Sequence, residues 1–234
     1  MNELLLTGSL IVIFAMVLVF FKLFGKTGLY CWTVFATITA NIEVLIVVSA
    51  FGMEQTLGNI LFASTFLVTD MLSEFYGKKA SQKAVNIGIA ASLAFIIISQ
   101  SWLVYVPAGS DWAMPHIQAI FSNTPRLMLT SFLVYAICQR FDVWAYHKWW
   151  AFTTKKCGDS DRFLWLRNNG STLLSQLLNA ILFNVGAFAG MYEWPTLVSI
   201  ILSSYVIFII TSLADTPVMY LARYMVNKNG KPAD

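Results

Sequence analysis

Residues 4–24 read LLLTGSLIVIFAMVLVFFKLF, a run whose one charge, Lys22, sits near its end. A helix of about 20 apolar residues crosses a hydrocarbon layer of roughly 30 Å, and it satisfies its backbone groups internally, as hydrocarbon demands. No basic stretch precedes the run and no small-residue cleavage site follows it. It therefore reads as a retained span and not as a signal peptide.

Six further runs resemble it: Leu29–Phe51, Leu57–Tyr76, Ala84–Val106, Arg126–Trp149, Thr172–Met191 and Pro195–Tyr224. The connections between them are too short to fold as separate soluble domains. The expected fold is all-α: a polytopic transmembrane helical bundle of about seven spans, with residues 1–234 forming one transmembrane domain. Composition agrees. With 58% hydrophobic and 12% charged residues, the chain has about half the charge that a soluble domain's surface requires. The net charge of +3 lies in the connections, which speaks to membrane orientation and against nucleic-acid binding. Cys31, Cys138 and Cys157 show neither disulfide-framework nor zinc spacing.

Basic residues orient the spans. Lys22 and Lys26 lie between the first and second; Lys78, Lys79 and Lys83 between the third and fourth. Lys148, Lys155, Lys156, Arg162 and Arg167 lie between the fifth and sixth, and Arg223, Lys228 and Lys231 follow the seventh. The alternate connections, around Glu54, Asp111 and Glu193, carry almost none, with Arg126 at the edge of one. Positive residues favour the cytoplasmic side, so the expectation is a multi-pass protein of the cell (inner) membrane, N-terminus outside and C-terminus cytoplasmic. Trp102, Trp112, Trp149, Trp150, Trp165 and Trp194 fall at span ends and read as interface anchors.

The informative residues break the apolar rule, because polar side chains in spans face a cavity or a partner. The second span holds Asn41 and Glu43, the third Asp70 and Glu74, and the fifth Arg140 and Asp142. The sixth holds Gln176 and Asn179, and the seventh Asp215. Residues three or four apart share a helix face. Asn59, Ala63, Asp70 and Glu74 make one stripe of small and polar residues, and Ser171, Ser175, Asn179, Gly186 and Gly190 another. Such stripes let helices approach closely around a polar pocket. Asp70, Asn179 and Asp215 are read as cavity-lining, and Glu43 as deep but nearer the outer side. Glu74 reads either as a site residue or as an interfacial partner of Lys78; Arg140 and Asp142 read as interfacial. The Gly186/Gly190 pair reads as packing. Pro217 deprives a carbonyl one turn earlier, near Leu213, of its donor. Beside Asp215 and Thr216 it marks an irregular polar point of the kind that forms transporter sites.

Four segments carry a family resemblance. Residues 69–77, TDMLSEFYG, resemble the D-x-x-x-E-x-Y-G signature of the queuosine precursor transporter family, also called the vitamin uptake transporter family. Arg126 to Asp142, with Ser131 and Tyr135, resembles its R-x-x-x-x-S…D helix. Residues 166–172, LRNNGST, are similar to its R-N-x-x-S-T helix entry, and Asp215-Thr216-Pro217 with Tyr220 to its D-T-P-x-x-Y close. The resemblance covers about 37–224 as a family core and leaves the first helix, about 4–24, as an extra N-terminal span. The chain departs where the family often has Asp, here Asn179, and where it has Phe-Pro, here Phe62-Ala63.

The resemblance implies import of queuosine precursors, 7-deazaguanine bases such as preQ0, preQ1 or queuine. It makes the chain a transporter and not an enzyme, with no cofactor and no metal. The implied partners are the 7-deazapurine substrate and the lipid bilayer; a second copy or energy-coupling subunits remain open. A guanine-like edge offers adjacent N–H donors and a carbonyl. A carboxylate accepts the donors, and an amide offers both donors and an acceptor. Asp70 or Glu74 would take the donor edge, Asn179 and Gln176 the remaining positions, and Phe183 or Tyr76 would stack. Asn41, Glu43, Ser175 and Asp215 complete the candidate substrate-binding set. One alternative is the substrate-binding subunit of an energy-coupling factor importer driven by separate ATPase chains, since no G-x-x-x-x-G-K-[ST] loop is present. A remote alternative, an intramembrane enzyme, finds only His116 and His147, in or near connections, and no H-E-x-x-H.

Overall fold

The computed structural model describes residues 1–122, 125–159 and 162–230; Lys231 lies outside them. The first element, α1 (Asn2–Glu43), is two helical limbs joined at Gly25, whose φ of 54° and ψ of −133° leave the helical region. The rings of Phe20 and Trp32 lie 5.4 Å apart, whereas twelve residues of unbroken helix span about 18 Å. The chain therefore reverses. At the far end the Asn2 amide donates to the Ser49 carbonyl at 2.9 Å, and the Phe51 amide donates to the Glu3 carboxylate at 3.3 Å. The limbs pass so closely that a Cβ on Gly28 would lie 2.2 Å from the Phe20 carbonyl oxygen.

The second limb stops at Glu43, short of the expected Phe51. Val47–Ala50 (β1) and Met53–Thr56 (β2) instead form an antiparallel hairpin, with Val47 opposite Thr56 and Ala50 opposite Met53. Phe51 and Gly52 turn it, both at positive φ (54° and 72°), the geometry that matches the twist of two paired strands. A short apolar run with β-branched residues does not reveal by hydropathy whether it is helix or strand.

The remaining helices are α2 (Gly58–Tyr76), α3 (Lys78–Trp102), the short α4 (Met114–Phe121), α5 (Pro125–Cys157), α6 (Leu164–Phe188) and α7 (Trp194–Asn229). Gly77, at φ 81°, turns the chain between α2 and α3. α5 runs past the expected Trp149, and α6 begins well before the expected Thr172, so Arg167 lies inside a helix and not in a connection. α1, α3, α6 and α7 are each long and apolar enough to cross a membrane. α2 is sheathed on most sides and contacts α1, α3, α5 and α7, while α6 packs between α5 and α7.

The main core joins the α1 limbs to α2 and α7 through Val17, Phe21, Trp32, Leu67, Met71 and Met219. The Trp32 indole donates to the Ser64 hydroxyl at 2.9 Å. In hydrocarbon such packing and interhelical hydrogen bonds hold helices together, since lipid tails are as apolar as leucine.

Candidate functional site

Four helices, α2, α5, α6 and α7, enclose a polar interior that falls into layers along the bundle axis. The first lies beneath the hairpin. Here a cavity of about 130 Å³ is walled by Gln55 of β2, Asn59 and Phe62 of α2, Ser131 of α5, Asn179 and Phe183 of α6, and Ser204 of α7. One water needs roughly 10–15 Å³ measured this way, so the space suits a small molecule. Among the described residues the side-chain amides of Asn179 and Asn59 bond to nothing in the protein. The Gln55 carbonyl oxygen is buried without a donor. The wall therefore offers free amides beside aromatic faces, and Glu54 adds a carboxylate at the rim.

Below the cavity an apolar layer closes the bundle: Phe66, Val134 and Cys138 pack with Phe62, Leu178 and Phe183. The next layer is acidic. The Thr172 hydroxyl donates to Asp70 at 3.1 Å, Ser175 to Asp142 at 2.5 Å, and the Asn168 amide to Asp215 at 2.6 Å. Eight residues of α2 separate Phe62 from Asp70, about 12 Å along the axis. Gln139 of α5 ties this layer together, donating to Thr65 at 2.6 Å and accepting from Thr69 at 3.2 Å. The Asn169 amide donates to Thr216 at 2.6 Å, so α6 meets α7 beside Pro217, which lies inside one continuous helix and does not break it.

The last layer is an ion pair. Arg167 donates to Glu74 through Nη2 at 2.6 Å and Nε at 3.0 Å, and Tyr146 donates to the same carboxylate at 2.7 Å. Arg223 approaches Glu74 to 3.6 Å. The Arg167 guanidinium also lies 4.5 Å from the centre of the Trp150 ring. Bidentate geometry and an aromatic lid suit a guanidinium in a way an ammonium could not reproduce.

The expected site residues therefore divide. Asn179 and Phe183 line the cavity. Asp70, Ser175 and Asp215 meet in the acidic layer, and Gln176, wholly buried, lies on α6 one turn from Thr172. Of the α2 and α6 stripes, Asn59 and Asn179 line the same cavity, and Thr172 beside the α6 stripe bonds Asp70. Glu74 is taken by Arg167 and Tyr146, not by Lys78. Tyr76 lies by the α1 turn, edge-on to Phe21 and beneath Lys26. Asn41 donates to the Thr37 carbonyl at 2.7 Å and reaches Ser92 of α3. Glu43 borders a separate crevice with Leu4, Leu6, Ile13 and Ile60.

Two other expectations change. Asp142 is not interfacial: it is buried on Ser175, while Arg140 points outward near Asn86. Gly186 packs, since a Cβ there would sit 2.6 Å from Thr130 Cγ2, but Gly190 is a turn residue at φ 82° with open space around it. Arg126 caps the end of α6, donating to the carbonyls of Gly186 at 2.9 Å and Ala189 at 2.8 Å. Gln55, Gln139, Tyr146 and the interior role of Arg167 escaped sequence reasoning. Tyr146 alone left a signal, one helical turn after Asp142. Among the described residues no cluster of three His, Cys, Asp or Glu side chains could hold a metal.

Comparison with known proteins identifies the family. The family described as "Putative vitamin uptake transporter" matches residues 56–222. A curated relative, the "Probable queuosine precursor transporter" of Bacillus subtilis (strain 168), is 38% identical over 216 residues, covering 92% of each chain. No solved structure matches. A match from β2 almost to the end of α7, and a relative this similar over nearly the whole length, show that the chain belongs to the vitamin uptake transporter family.

Proposed function

We propose that this protein imports queuosine precursors, 7-deazaguanine bases, and that the cavity beneath the hairpin is where the base is first held. The relative's printed role as a queuosine precursor transporter supports the substrate class. The observation that carries the site is the pair of unbonded amides, Asn179 and Asn59, facing one small cavity beside Phe62 and Phe183. A planar heterocycle stacks between such rings. Its N–H groups find acceptors in the Gln55 carbonyl and the Glu54 carboxylate, and its carbonyl finds a donor in Asn179. Asp70, Ser175, Gln176 and Asp215 would meet the base only after the apolar layer parts. Glu74, by this reading, holds the inner end shut and does not read the base.

Seven crossings fit the reading: the two limbs of α1, then α2, α3, α5, α6 and α7. The bias of basic residues supports an N-terminus outside and a C-terminus inside. The cavity then opens outward, and the Glu74–Arg167 network closes the cytoplasmic end, as an importer awaiting substrate requires. The test is uptake of a labelled 7-deazaguanine base by cells that express this chain. The expected result is uptake well above that of cells with an empty vector. Uptake no greater than the empty-vector control, with the protein present in the membrane, would overturn the reading.

A further inference from the structure

The acidic layer sits beneath the cavity and is not needed to seat a base. Asp70, Asp142 and Asp215 are each nearly or wholly buried. Asp70 and Asp142 accept from Thr172 and Ser175, which lie one turn apart on α6, and Asp215 accepts from Asn168 one turn before them. Among the described residues none of the three forms an ion pair. The cation at this end of the bundle, Arg167, engages Glu74 in the layer below, with Arg223 beside it. The charged and titratable groups facing the layer are thus its own three carboxyls, Cys138 above, and Glu74, Tyr146, Arg167 and Arg223 below. α1 and α3, which also pack on α2, bring no ion pair to it.

The layer also holds unmatched polar atoms, most of them acceptors. Asp70 Oδ1 and Asp142 Oδ2 receive no hydrogen bond. Asn168 spends its amide on Asp215, and its own Oδ1, fully buried, receives none. Gln176 has neither amide atom partnered, although it is wholly enclosed one turn from Thr172. Buried acceptors without donors are costly, and an unpaired buried charge more so. The ligand this set lacks is one that brings hydrogen and positive charge together without needing three or more carboxylates around it. Two neighbouring carboxyl groups meet that need by sharing a proton, since two bare charges side by side repel.

On the reading that the chain is an importer, we infer that the Asp70–Asp142 pair, with Asp215 beside it, binds the proton whose entry drives uptake. One proton arrives from the outer side, is held between the two carboxyls, and leaves to the cytoplasm when the inner network opens, returning the pair to its starting state. Substrate and proton occupy successive layers, so binding of one changes the closure that the other needs.

The test uses the full purified chain in sealed liposomes, with labelled 7-cyano-7-deazaguanine outside and the membrane potential clamped at zero. With the outside one pH unit more acidic, one proton per base limits accumulation to about tenfold. Wild-type vesicles should approach that ratio under the gradient and only equilibrate without it. A pH dye trapped inside should report acidification when the base is added. Asp142→Asn, checked for normal size and melting, should stay near a ratio of one under the same gradient. Accumulation that ignores the proton gradient or follows a sodium gradient, or accumulation without dye response, would overturn the inference while leaving transport intact. An Asp142→Asn protein that accumulates as fully as wild type would do the same. No entry of label into wild-type vesicles would instead fell the importer reading on which the inference rests.

Discussion

Arg167 Nη2 and Glu74 Oε1 lie 2.6 Å apart, with the arginine wholly enclosed and the glutamate 5% exposed. The pair joins α6 to α2, and Tyr146 and Arg223 bring α5 and α7 to the same carboxylate. Removing one partner of a buried pair leaves the other charge unpaired, which costs about 3–5 kcal/mol. Arg167→Ala should therefore melt far below wild type in detergent. The double variant Arg167→Met/Glu74→Met should recover most of the loss, because no charge is stranded. A double variant as unstable as Arg167→Ala would show that packing, not the charge, dominates there.

Gly186 sits where a Cβ would approach Thr130 Cγ2 to 2.6 Å. Gly186→Leu should overpack the α5–α6 contact by about 1–3 kcal/mol. Gly190→Leu, in open space at positive φ, should act through backbone strain alone. Melting curves of Gly186→Leu with and without Thr130→Ala would decide it. The second change should return part of the stability to Gly186→Leu and none to Gly190→Leu.

Much of the fold was legible because apolar runs long enough to span hydrocarbon need no long-range information to be helical. What failed was non-local. Arg167 looks like a loop cation until Glu74, 93 residues away, neutralises it and lets α6 start at Leu164. Asp142 looks interfacial beside Arg140, yet two residues are about 200° apart on a helix. One side chain therefore faces outward while the other enters the core. Asn179 stood on a stripe read from helical spacing, whereas Phe183 entered as a stacking candidate for the base that the family resemblance implies. Gln55 and Glu54 were not, because a hairpin carries them over the bundle and hydropathy does not reveal hairpins.

Topology has its own test. Cys157, exposed at the end of α5, lies on the cytoplasmic side if the chain crosses seven times with its N-terminus outside. A membrane-impermeant thiol reagent should spare it in intact cells and label it in inverted vesicles. Labelling of Cys157 in intact cells would contradict the proposed orientation.

Asp70 and Asp142 are held by adjacent turns of α6, and each is fully buried with one oxygen lacking a donor. Asp70→Asn and Asp142→Asn should therefore impair uptake to similar degrees at normal expression. An Asp142→Asn variant with wild-type uptake, beside a dead Asp70→Asn, would return Asp142 to a peripheral role.

By the proposed function, the cavity reads the guanine-like edge through Asn179 and its neighbours. A site whose buried polar groups pair with the ligand rejects analogues that leave them unpaired, at about 1–3 kcal/mol per buried group left unsatisfied. The measurement is competition against uptake of labelled 7-cyano-7-deazaguanine, in wild type and in Asn179→Leu. In wild type, unlabelled 7-deazaguanines should compete about ten- to a hundredfold better than adenine, and Asn179→Leu should erase most of that difference. Equal competition by adenine in wild type, or undiminished discrimination in Asn179→Leu, would contradict the account.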